Sequence, residues 1–326
     1  MPSSRHFDVV VAGGANTDYL IKGPQLPQPG QTIDGTVFLQ APGGKGANQA
    51  VAAARLGAKV AFVGCLGNDR NGANLLRGLR AEGIHTSAVK RTDQASSGAA
   101  LIMVDAQGEK MISCAPGANH HLNPKDISRA EALLRQTRVL LIQFEIPLPS
   151  VILAAQIAQS AGALVVLDPA PAKLVSQKLL RLVHLIRPNS TEAAALTGVT
   201  VIDLPSARRA AKKLFSLGVH AVATQAGDEG DVIFWPGEEA FFPRMNVKSI
   251  DATGAGDAFA AALAVALAEG RSLAQAGALA NAAAALATTR LGAQPAMPHR
   301  SEVLALLVKS GRRQDAIDLR RNSRKS

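Results

Sequence analysis

Short apolar runs rich in valine and isoleucine alternate along this chain with alanine- and leucine-rich segments of helical period. The runs have the length of buried strands, whereas the segments between them repeat apolar residues at helical spacing. Strands that alternate with helices predict an α/β fold in which a mostly parallel sheet is covered on both faces. The predicted strands span 8–12, 59–63, 139–142, 163–167, 182–186 and 220–224, and the predicted helices span 46–56, 73–82, 149–160 and 206–217.

Two segments, at about 19–42 and 97–118, interrupt this alternation. The first is rich in proline and glycine and then becomes strand-like, and the second has period-two character around an Ala-Gln-Gly turn, which predicts a hairpin. Strands outside the alternation predict a small separate sheet over one end of the main sheet. Such a sheet would act as a lid, or as an oligomer contact that covers its own edges.

The composition narrows the possible partners. Of the 326 residues 47% are hydrophobic but only 3% are aromatic, so a base-stacking platform for single-stranded nucleic acid is not expected. The formal net charge of +10 would suit an anionic partner, yet much of the basic excess lies between Arg312 and Lys325. A solvated tail over 313–326, following one domain over 1–312, is the simpler interpretation. A contact with a polyanion is the alternative.

Targeting and redox signals point to the cytoplasm. The two cysteines, Cys65 and Cys114, have no CxxC spacing and are too few for a disulfide framework. The N-terminal segment does not read as a signal peptide. The longest apolar run, 258–268, is well short of the roughly 18 residues that a transmembrane helix needs. We therefore expect a reduced cytoplasmic protein without a membrane span.

The strongest candidate for chemistry is the stretch "SIDATGAGDAF", which runs into an alanine-rich helix. Gly254, Ala255 and Gly256 offer free backbone N–H groups at a helix start, where the helix dipole adds positive potential. This arrangement suits a transferring phosphoryl group, and Asp257 beside it could accept the proton of an attacking hydroxyl. Taken alone, an aspartate that merely caps the helix explains the same pattern.

Two further polar loops follow predicted strands at the edge where ligands of α/β sheets bind. Asn16 and Asp18 lie in "AGGANTD", which lacks the spacing of a dinucleotide fingerprint. "PGGKGANQA" places Lys45 and Asn48 at a helix start after glycines that permit close backbone approach, but it is not a Walker A loop. Either loop alone could be an ordinary turn.

Two loops in the second half could face a nucleotide. In "RPNSTE", Asn189 or Ser190 could cap the next helix with Glu192 closing a capping box. Alternatively, Asn189 and Glu192 lie at the phosphates and orient a magnesium–water shell. "QAGDEG", which begins at Gln225, is by itself only a turn.

Taken in order, these segments closely resemble the ribokinase-like carbohydrate kinases of the phosphofructokinase-B type. The resemblance runs from about Asp8 to Leu307 and includes "GGKGANQAVAAARLGAKVAFVGCLGND", "GANHHLNP", "QFEIPL", "LDPAPA", "RPNSTEAAALTG", "DATGAGDAF" and "TTRLGAQPAMP". It implies a three-layer α/β sandwich with a β-lid, and a homodimer formed through the lids. It also implies ATP-dependent phosphorylation of D-ribose at the 5-hydroxyl, with Mg²⁺ and an activating K⁺. Another substrate of the same family (2-deoxyribose, another sugar or a nucleoside) is the alternative, and a non-catalytic sugar-binding regulator is a more distant one.

The resemblance also implies roles for individual residues. Asp257 corresponds to the catalytic base, and the backbone of Gly254, Ala255 and Gly256 to the anion hole. The positions implied for the sugar are Asn16, Asp18, Gly44, Lys45, Asn48 and Glu145. Those implied for the nucleotide are Asn189, Glu192, Gln225, Ala226, Gly227, Asp228, Glu229, Gly230, Gly256 and Asn281. Those implied for the monovalent cation are Asp251 and the carbonyls of Thr253, Ala287, Arg290 and Gly292.

Three features depart from the family pattern. Gln225 stands where threonine is usual, and Asp228 and Glu229 bring negative charge toward the expected phosphates. Ala296 replaces a hydroxyl residue at the edge of the cation loop. The basic segment after Arg312 has no counterpart that we can assign.

Overall fold

A nine-stranded sheet forms the centre of the molecule in the computed structural model, which describes residues 5–320. Its strand order is β13-β12-β11-β10-β9-β8-β1-β4-β5, and all neighbours are parallel except β11–β12 and β12–β13. The predicted mostly parallel sheet is therefore confirmed. Its strands are β1 Phe7–Ala12, β4 Val60–Gly67, β5 Val89–Thr92, β8 Thr137–Ile142, β9 Leu164–Leu167, β10 Leu185–Ile186, β11 Ala221–Gln225, β12 Gly230–Trp235 and β13 Glu238–Pro243.

Helices cover both faces of the sheet, as predicted. One face packs against α1, α2 and α9–α12, and the other packs against α3–α8. Alternate residues of β1 enter opposite cores, Val9 and Val11 on one side and Val10 and Ala12 on the other, because successive strand side chains point to opposite faces. The helices are α1 Lys45–Arg55, α2 Arg70–Ala81, α3 Pro124–Arg129, α4 Glu131–Arg135, α5 Leu148–Ser160, α6 Gln177–Leu180, α7 Ser190–Thr197, α8 Leu204–Ser216, α9 Ala255–Ala268, α10 Leu273–Ala287, α11 Arg300–Lys309 and α12 Arg313–Arg320.

A separate four-stranded sheet, which we call the lid, lies over one end of the main sheet. Its strands are β2 Asn16–Lys22, β3 Val37–Gly43, β6 Gly98–Val104 and β7 Lys110–Ala115, in the order β3-β2-β6-β7. The two segments that interrupt the strand–helix alternation thus pair with each other, and β6–β7 is the predicted antiparallel hairpin. Asn16 and Asp18 belong to β2, so the lid begins directly at the predicted sugar site.

The basic C-terminal segment does not begin as a solvated tail. Residues 313–320 form α12, in which Ala316 and Leu319 are buried in the core. The guanidinium of Arg271 donates hydrogen bonds to the carbonyls of Asp318 and Leu319, and that of Arg300 donates to Leu319 as well. Cations at the last carbonyls of a helix complement its dipole, which favours this docking. The interpretation as a solvated tail is wrong for this segment, and residues 321–326 lie outside the described chain.

No helix among residues 5–320 has both the length and the apolar character needed to span a membrane.

Candidate active site

The candidate site lies where three parallel strands end and two helices begin. Gly13 follows β1, Gln143 follows β8 and Asp168 follows β9, while α1 and α9 begin beside these loops and pack against each other. The carboxyl ends of parallel strands and the N-termini of their helices meet at one edge of an α/β sheet, which is where ligands of this fold bind.

Asp257 lies at the centre of this edge, but it does not cap its helix. Gly254, in the left-handed region at φ 81°, precedes α9, and Asp257 is the third residue of the helix. Its Oδ2 accepts a hydrogen bond of 2.9 Å from Nδ2 of Asn48, and its Oδ1 accepts one of 3.1 Å from Nε2 of Gln49. The helix-cap interpretation is therefore wrong, and the carboxylate is held by α1 instead.

Lys45 balances two buried carboxylates. Its Nζ lies 3.8 Å from Oδ1 of Asp257 and 3.6 Å from Oδ2 of Asp168, which also accepts a 2.8 Å hydrogen bond from Gln49. Burial alone would lower the pKa of Lys45, but Asp168 and Asp257 raise it above its ordinary value, so the lysine stays charged. Burial raises the pKa of Asp257; Lys45 opposes that shift and Asp168 adds to it. A carboxylate of raised pKa is a better proton acceptor.

Glycines at positions 44 and 46 allow the start of α1 to lie close against the loop that follows β1. Gly44, before the helix, has φ 85°, and a Cβ there would lie 2.6 Å from the backbone nitrogen of Asn16. A Cβ on Gly46 would lie 2.7 Å from the backbone of Gly13. Any side chain at these positions would push α1 away from β1, and with it Lys45 and Asn48.

The sugar-side residues predicted from sequence surround the same point. The side chain of Asn119 donates a 2.8 Å hydrogen bond to Oδ1 of Asn16 and accepts one of 3.0 Å from the backbone of Ala15, which fixes the orientation of Asn16. Glu145 accepts a 2.8 Å hydrogen bond from the backbone N–H of Lys45. Asp18 is buried on β2, and its carboxylate has no hydrogen-bond donor among the described residues.

The carboxyl groups of Asp18 and Glu145 both have raised pKa values. Burial, reinforced by the charge of Asp257, raises the pKa of Asp18 to about 7. Burial also raises the pKa of Glu145 to about 7, with Lys45 opposing the shift and Asp257 adding to it. Carboxyl groups that burial leaves short of donors are suited to form hydrogen bonds with the hydroxyl groups of a ligand.

Three buried acceptor atoms in this region have no partner among the described residues: Oδ1 of Asn48, Oδ1 of Asp168 and Oε1 of Gln143. An unpaired buried acceptor is costly, so native proteins rarely keep several together without a reason. A polyhydroxylated ligand could supply donors to this pocket.

The first turns of α9 also line a cavity of about 360 Å³, to which Ala255 and Phe259 contribute. Of the residues predicted for the nucleotide, Gln225, Gly230 and Asn281 line it, together with Ala255 of the predicted anion hole. Nδ2 of Asn281 donates a 3.1 Å hydrogen bond to Asp231, whereas its buried Oδ1 has no partner among the described residues.

Asn189 and Glu192 form a capping box, which was one of the two interpretations of their motif. The side chain of Asn189 accepts a 2.8 Å hydrogen bond from the backbone of Glu192, whose carboxylate accepts one of 2.8 Å in return. Burial raises the pKa of Glu192, and the nearby charge of Asp168 adds to the shift. The capping interpretation is confirmed, and a role of either residue at the phosphates stays a prediction.

The loop from Gln225 to Gly230 turns its acidic side chains away. Asp228 is fully exposed and lies 3.4 Å from Arg244, and Glu229 is exposed as well. Ala226, directly after β11, is buried, but neither Ala226 nor Gly227 is among the residues that line the cavity. The two acidic residues therefore do not place their charge inside the cavity.

The predicted cation loop is organised around Asp251. Its Oδ1 accepts a 2.9 Å hydrogen bond from the backbone of Thr253, and its Oδ2 accepts one of 2.9 Å from the backbone of Gly292. Among the described residues no donor bonds to the carbonyls of Thr253, Ala287, Arg290 or Gly292. Four uncommitted carbonyls beside a buried carboxylate fit a monovalent cation, since hard cations take oxygen ligands. Ala296 is buried and supplies no side-chain ligand.

The structure also reveals site residues that sequence reasoning missed. Gln49, Gln143 and Asp168 are fully buried and connect to one another and to Asp257, yet the sequence presented them only as members of motifs. Their positions directly after strands, or one residue after Asn48, were the available signal.

Arg187 was missed as well. It directly follows β10 and lines the nucleotide-side cavity, with its guanidinium 5.3 Å from the ring centre of Phe259. Its Nη1 lies so near Gly256 that a Cβ added there would approach it to 2.7 Å. Its backbone N–H donates to Leu167, but its guanidinium has no hydrogen-bond or ion-pair partner among residues 5–320. A planar cation with free donors beside a glycine-rich helix start is suited to a phosphate.

Comparison with known proteins agrees with this geometry. Residues 7–300 match the pfkB family carbohydrate kinases. A ribokinase of Haemophilus influenzae is 42% identical over 92% of this chain and 98% of its own. A deoxyribokinase of Salmonella typhi is 35% identical over 78% of this chain and 83% of its own. The structure of an Arabidopsis thaliana ribokinase complexed with ribose and ATP superposes with a TM-score of 0.83, at 33% identity, over 92% of this chain and 98% of that one.

Fold and site, together with these relatives, define a phosphotransferase that acts on small hydroxylated molecules: a buried carboxylate is held beside a polar pocket, and the glycine-rich helix start that carries it also lines a cavity. The chain belongs to the pfkB family of carbohydrate kinases.

The position of Arg187 yields a testable prediction. Arg187→Met should raise the KM for ATP by about ten- to a hundredfold, because a hydrogen bond to a charged group contributes about 1.5–3 kcal/mol. Initial rates at varied ATP and saturating sugar would measure this. Arg181→Met, which removes an exposed arginine outside the cavity, is the matched control. An unchanged KM for ATP together with an unchanged kcat in Arg187→Met would exclude a phosphate contact.

The raised pKa of Asp18 predicts a dependence of stability on pH. The carboxyl titrates near 3.8 in the unfolded chain and near 7 in the folded one, so the folded state binds the extra proton between these values. Stability from this group is complete below about 4 and is lost as the pH rises through about 7. Asp18→Asn should therefore gain about 2–4 kcal/mol in free energy of unfolding, relative to the wild type, over that range.

Urea denaturation at several pH values would measure the effect of Asp18→Asn. Asp34→Asn, an exposed lid substitution, should follow the wild type at every pH. Parallel curves for Asp18→Asn and the wild type would show that Asp18 titrates normally.

Proposed function

We propose that the protein transfers the γ-phosphoryl group of ATP to the 5-hydroxyl of D-ribose, giving ribose 5-phosphate and ADP. The observation that carries this proposal is the position of Asp257, whose buried carboxylate is held by Asn48 of the polar pocket, while Ala255, two residues earlier in the same helix, lines the cavity together with Asn281 and Gln225. A hydroxyl presented from the pocket would meet both a proton acceptor and the N–H groups at the start of α9.

In the proposed transfer, Asp257 takes the proton and the groups around the start of α9 stabilise the phosphoryl charge. Its carboxylate accepts the proton of the 5-hydroxyl, the sugar oxygen forms a bond to the γ-phosphorus, and the bond from that phosphorus to the β–γ bridging oxygen breaks, releasing ADP. The backbone N–H groups of 254–257 and the guanidinium of Arg187 stabilise charge on the transferring phosphoryl oxygens. Magnesium, when bound, would neutralise the phosphates, with Asn189 and Glu192 as candidates to orient its water shell.

Several features favour ribose over 2-deoxyribose. Asn16 is held rigidly by Asn119, and the acceptors of Asn48 and Asp168 lack partners among the described residues. A site built to bond a hydroxyl rejects an analogue that lacks it, because its own polar groups then stay unpaired. The names of the relatives include both ribokinase and deoxyribokinase, so 2-deoxyribose is the direct competitor.

Potassium activation and a cytoplasmic location are part of the same proposal. The uncommitted carbonyls around Asp251 support a monovalent-cation site that orders the loop leading to Gly254. The observation that supports the location is the presence of only two cysteines without CxxC spacing, as expected of a reducing compartment.

The substrate can be tested by ADP release over a panel of sugars and nucleosides, with Asp257→Asn as the matched variant. We expect ribose to have the highest kcat/KM. Asp257→Asn, which keeps the shape and removes proton acceptance, should lower kcat by roughly a hundred- to ten-thousandfold. Ribose binding, measured by calorimetry, should be largely retained. Near-normal turnover in Asp257→Asn would contradict its assignment as the base, and a preference for 2-deoxyribose would contradict the substrate.

We also propose a homodimer formed through the lids. Ile21, Phe38, Leu101 and Met111 share the outer lid face by strand register, and between 47% and 66% of each is exposed. A contiguous apolar patch on a small sheet is typical of a protein interface, and a two-fold contact would let the patch cover its own copy.

Phe38→Glu should weaken this dimer by about a hundredfold or more, because a buried unpaired charge costs several kcal/mol. Sedimentation velocity would measure the change in mass. Leu174→Glu replaces a side chain that is 85% exposed outside the lid and should leave the mass unchanged. A wild type that sediments as a monomer, or a Phe38→Glu variant that stays dimeric, would refute the interface.

A further inference from the structure

We propose that Lys110 of the lid acts as a tethered monovalent cation at Asp251, so that it couples the docked position of the lid to the loop carrying the anion hole. The inference rests on the proposed phosphoryl transfer for its catalytic consequence. It assigns a positioning role to a residue outside both the sugar pocket and the nucleotide cavity.

The contacts of Lys110 are specific. Its Nζ lies 2.9 Å from Oδ1 of Asp251 and 2.7 Å from Oγ1 of Thr253. The carboxylate of Asp251 is only 3% exposed and the lysine side chain 23% exposed, so the pair is better shielded from solvent than an ordinary surface ion pair. Among the described residues no other cation forms an ion pair with Asp251.

Asp251 connects Lys110 to the loop that leads into α9. The same Oδ1 accepts hydrogen bonds from the backbone and hydroxyl of Thr253, which immediately precedes Gly254. Oδ2 holds the backbone of Gly292, after α10. The conformation of the loop that presents the N–H groups of 254–257 is therefore tied to a carboxylate whose charge Lys110 neutralises.

Because Lys110 belongs to the lid, its ion pair with Asp251 depends on where the lid lies. It is the first residue of β7 and pairs with Val104, which pairs in turn with Lys22 at the opposite end of β2 from Asn16. The inner lid face packs its apolar side chains, including Ile102 and Val104, against Leu291 beside Gly292. The outer end of the lid thus docks on the cation loop through an apolar contact and the Lys110 ion pair together.

The ammonium group and a dissociable cation would share Asp251. Both carry one positive charge and both seek oxygen ligands, and Oδ1 of Asp251 is already bound by the lysine. The charge of a bound potassium ion would consequently add less to the order of this loop than it would without Lys110. Removing the lysine charge should make the loop depend on an external cation.

The test compares Lys110→Met with the wild type in potassium chloride and in choline chloride at equal ionic strength. We expect the variant to lose about tenfold in kcat in choline, the scale of one charge-assisted hydrogen bond, and to recover in potassium. The wild type should lose less of its kcat than the variant on the exchange, because Lys110 already supplies one charge at Asp251. Lys110→Gln keeps a donor without the charge and should behave like Lys110→Met. Lys22→Met, which removes a lid lysine that has no ion pair among the described residues, should behave like the wild type.

A second readout needs neither sugar nor ATP. Potassium should raise the Tm of Lys110→Met above its value in choline by clearly more than it raises the Tm of the wild type. This measurement stands even if the protein phosphorylates a different substrate. Equal potassium shifts in the variant and the wild type, a kcat loss that potassium does not relieve, or wild-type behaviour of Lys110→Gln would each overturn the proposal.

Discussion

The site depends on one contact between helix N-termini: the amides of Asn48 and Gln49 on α1 hold the buried carboxylate of Asp257 on α9. A carboxylate is stable in such a place only if donors and a nearby cation compensate for its lost hydration, and Lys45 supplies the charge. The glycines before α1 allow the approach, and the loops after β8 and β9 bring Gln143 and Asp168 against it. The polar pocket and the nucleotide-side cavity are both positioned relative to this contact.

Much of the fold could be predicted from the sequence, because buried parallel strands and their covering helices leave a strong apolar periodicity. Strand β10 was overestimated: it keeps only Leu185–Ile186 of the predicted 182–186, since a strand end has no periodicity of its own. Residues 313–320 were interpreted as solvated because they stand within the basic segment from Arg312 to Lys325. The two apolar residues that anchor α12, Ala316 and Leu319, are too few to show a pattern.

The site was predictable to the extent that its residues stand in glycine-rich motifs at strand ends. Asp257, Lys45, Asn48, Asn16 and Asp18 were found this way, and the structure brings them together. Arg187, Gln49 and Lys110 were not, because their importance lies in a distance to a residue far away in sequence. Lys110 and Asp251 are 141 positions apart, and no local pattern records such a pairing.

The hydrogen bond from Asn119 to Asn16 affects how substrate preference could change over evolution. Asn16, which we propose to distinguish one sugar from another, is oriented by Asn119 behind it, and both pack against Gly98, where a Cβ would lie 2.1 Å from Oδ1 of Asn16 and 2.5 Å from Nδ2 of Asn119. A single methyl group at position 98 would displace the pair without altering any side chain that faces the sugar. Selectivity between sugars can therefore be lost through a substitution at Gly98, a residue without a side chain of its own.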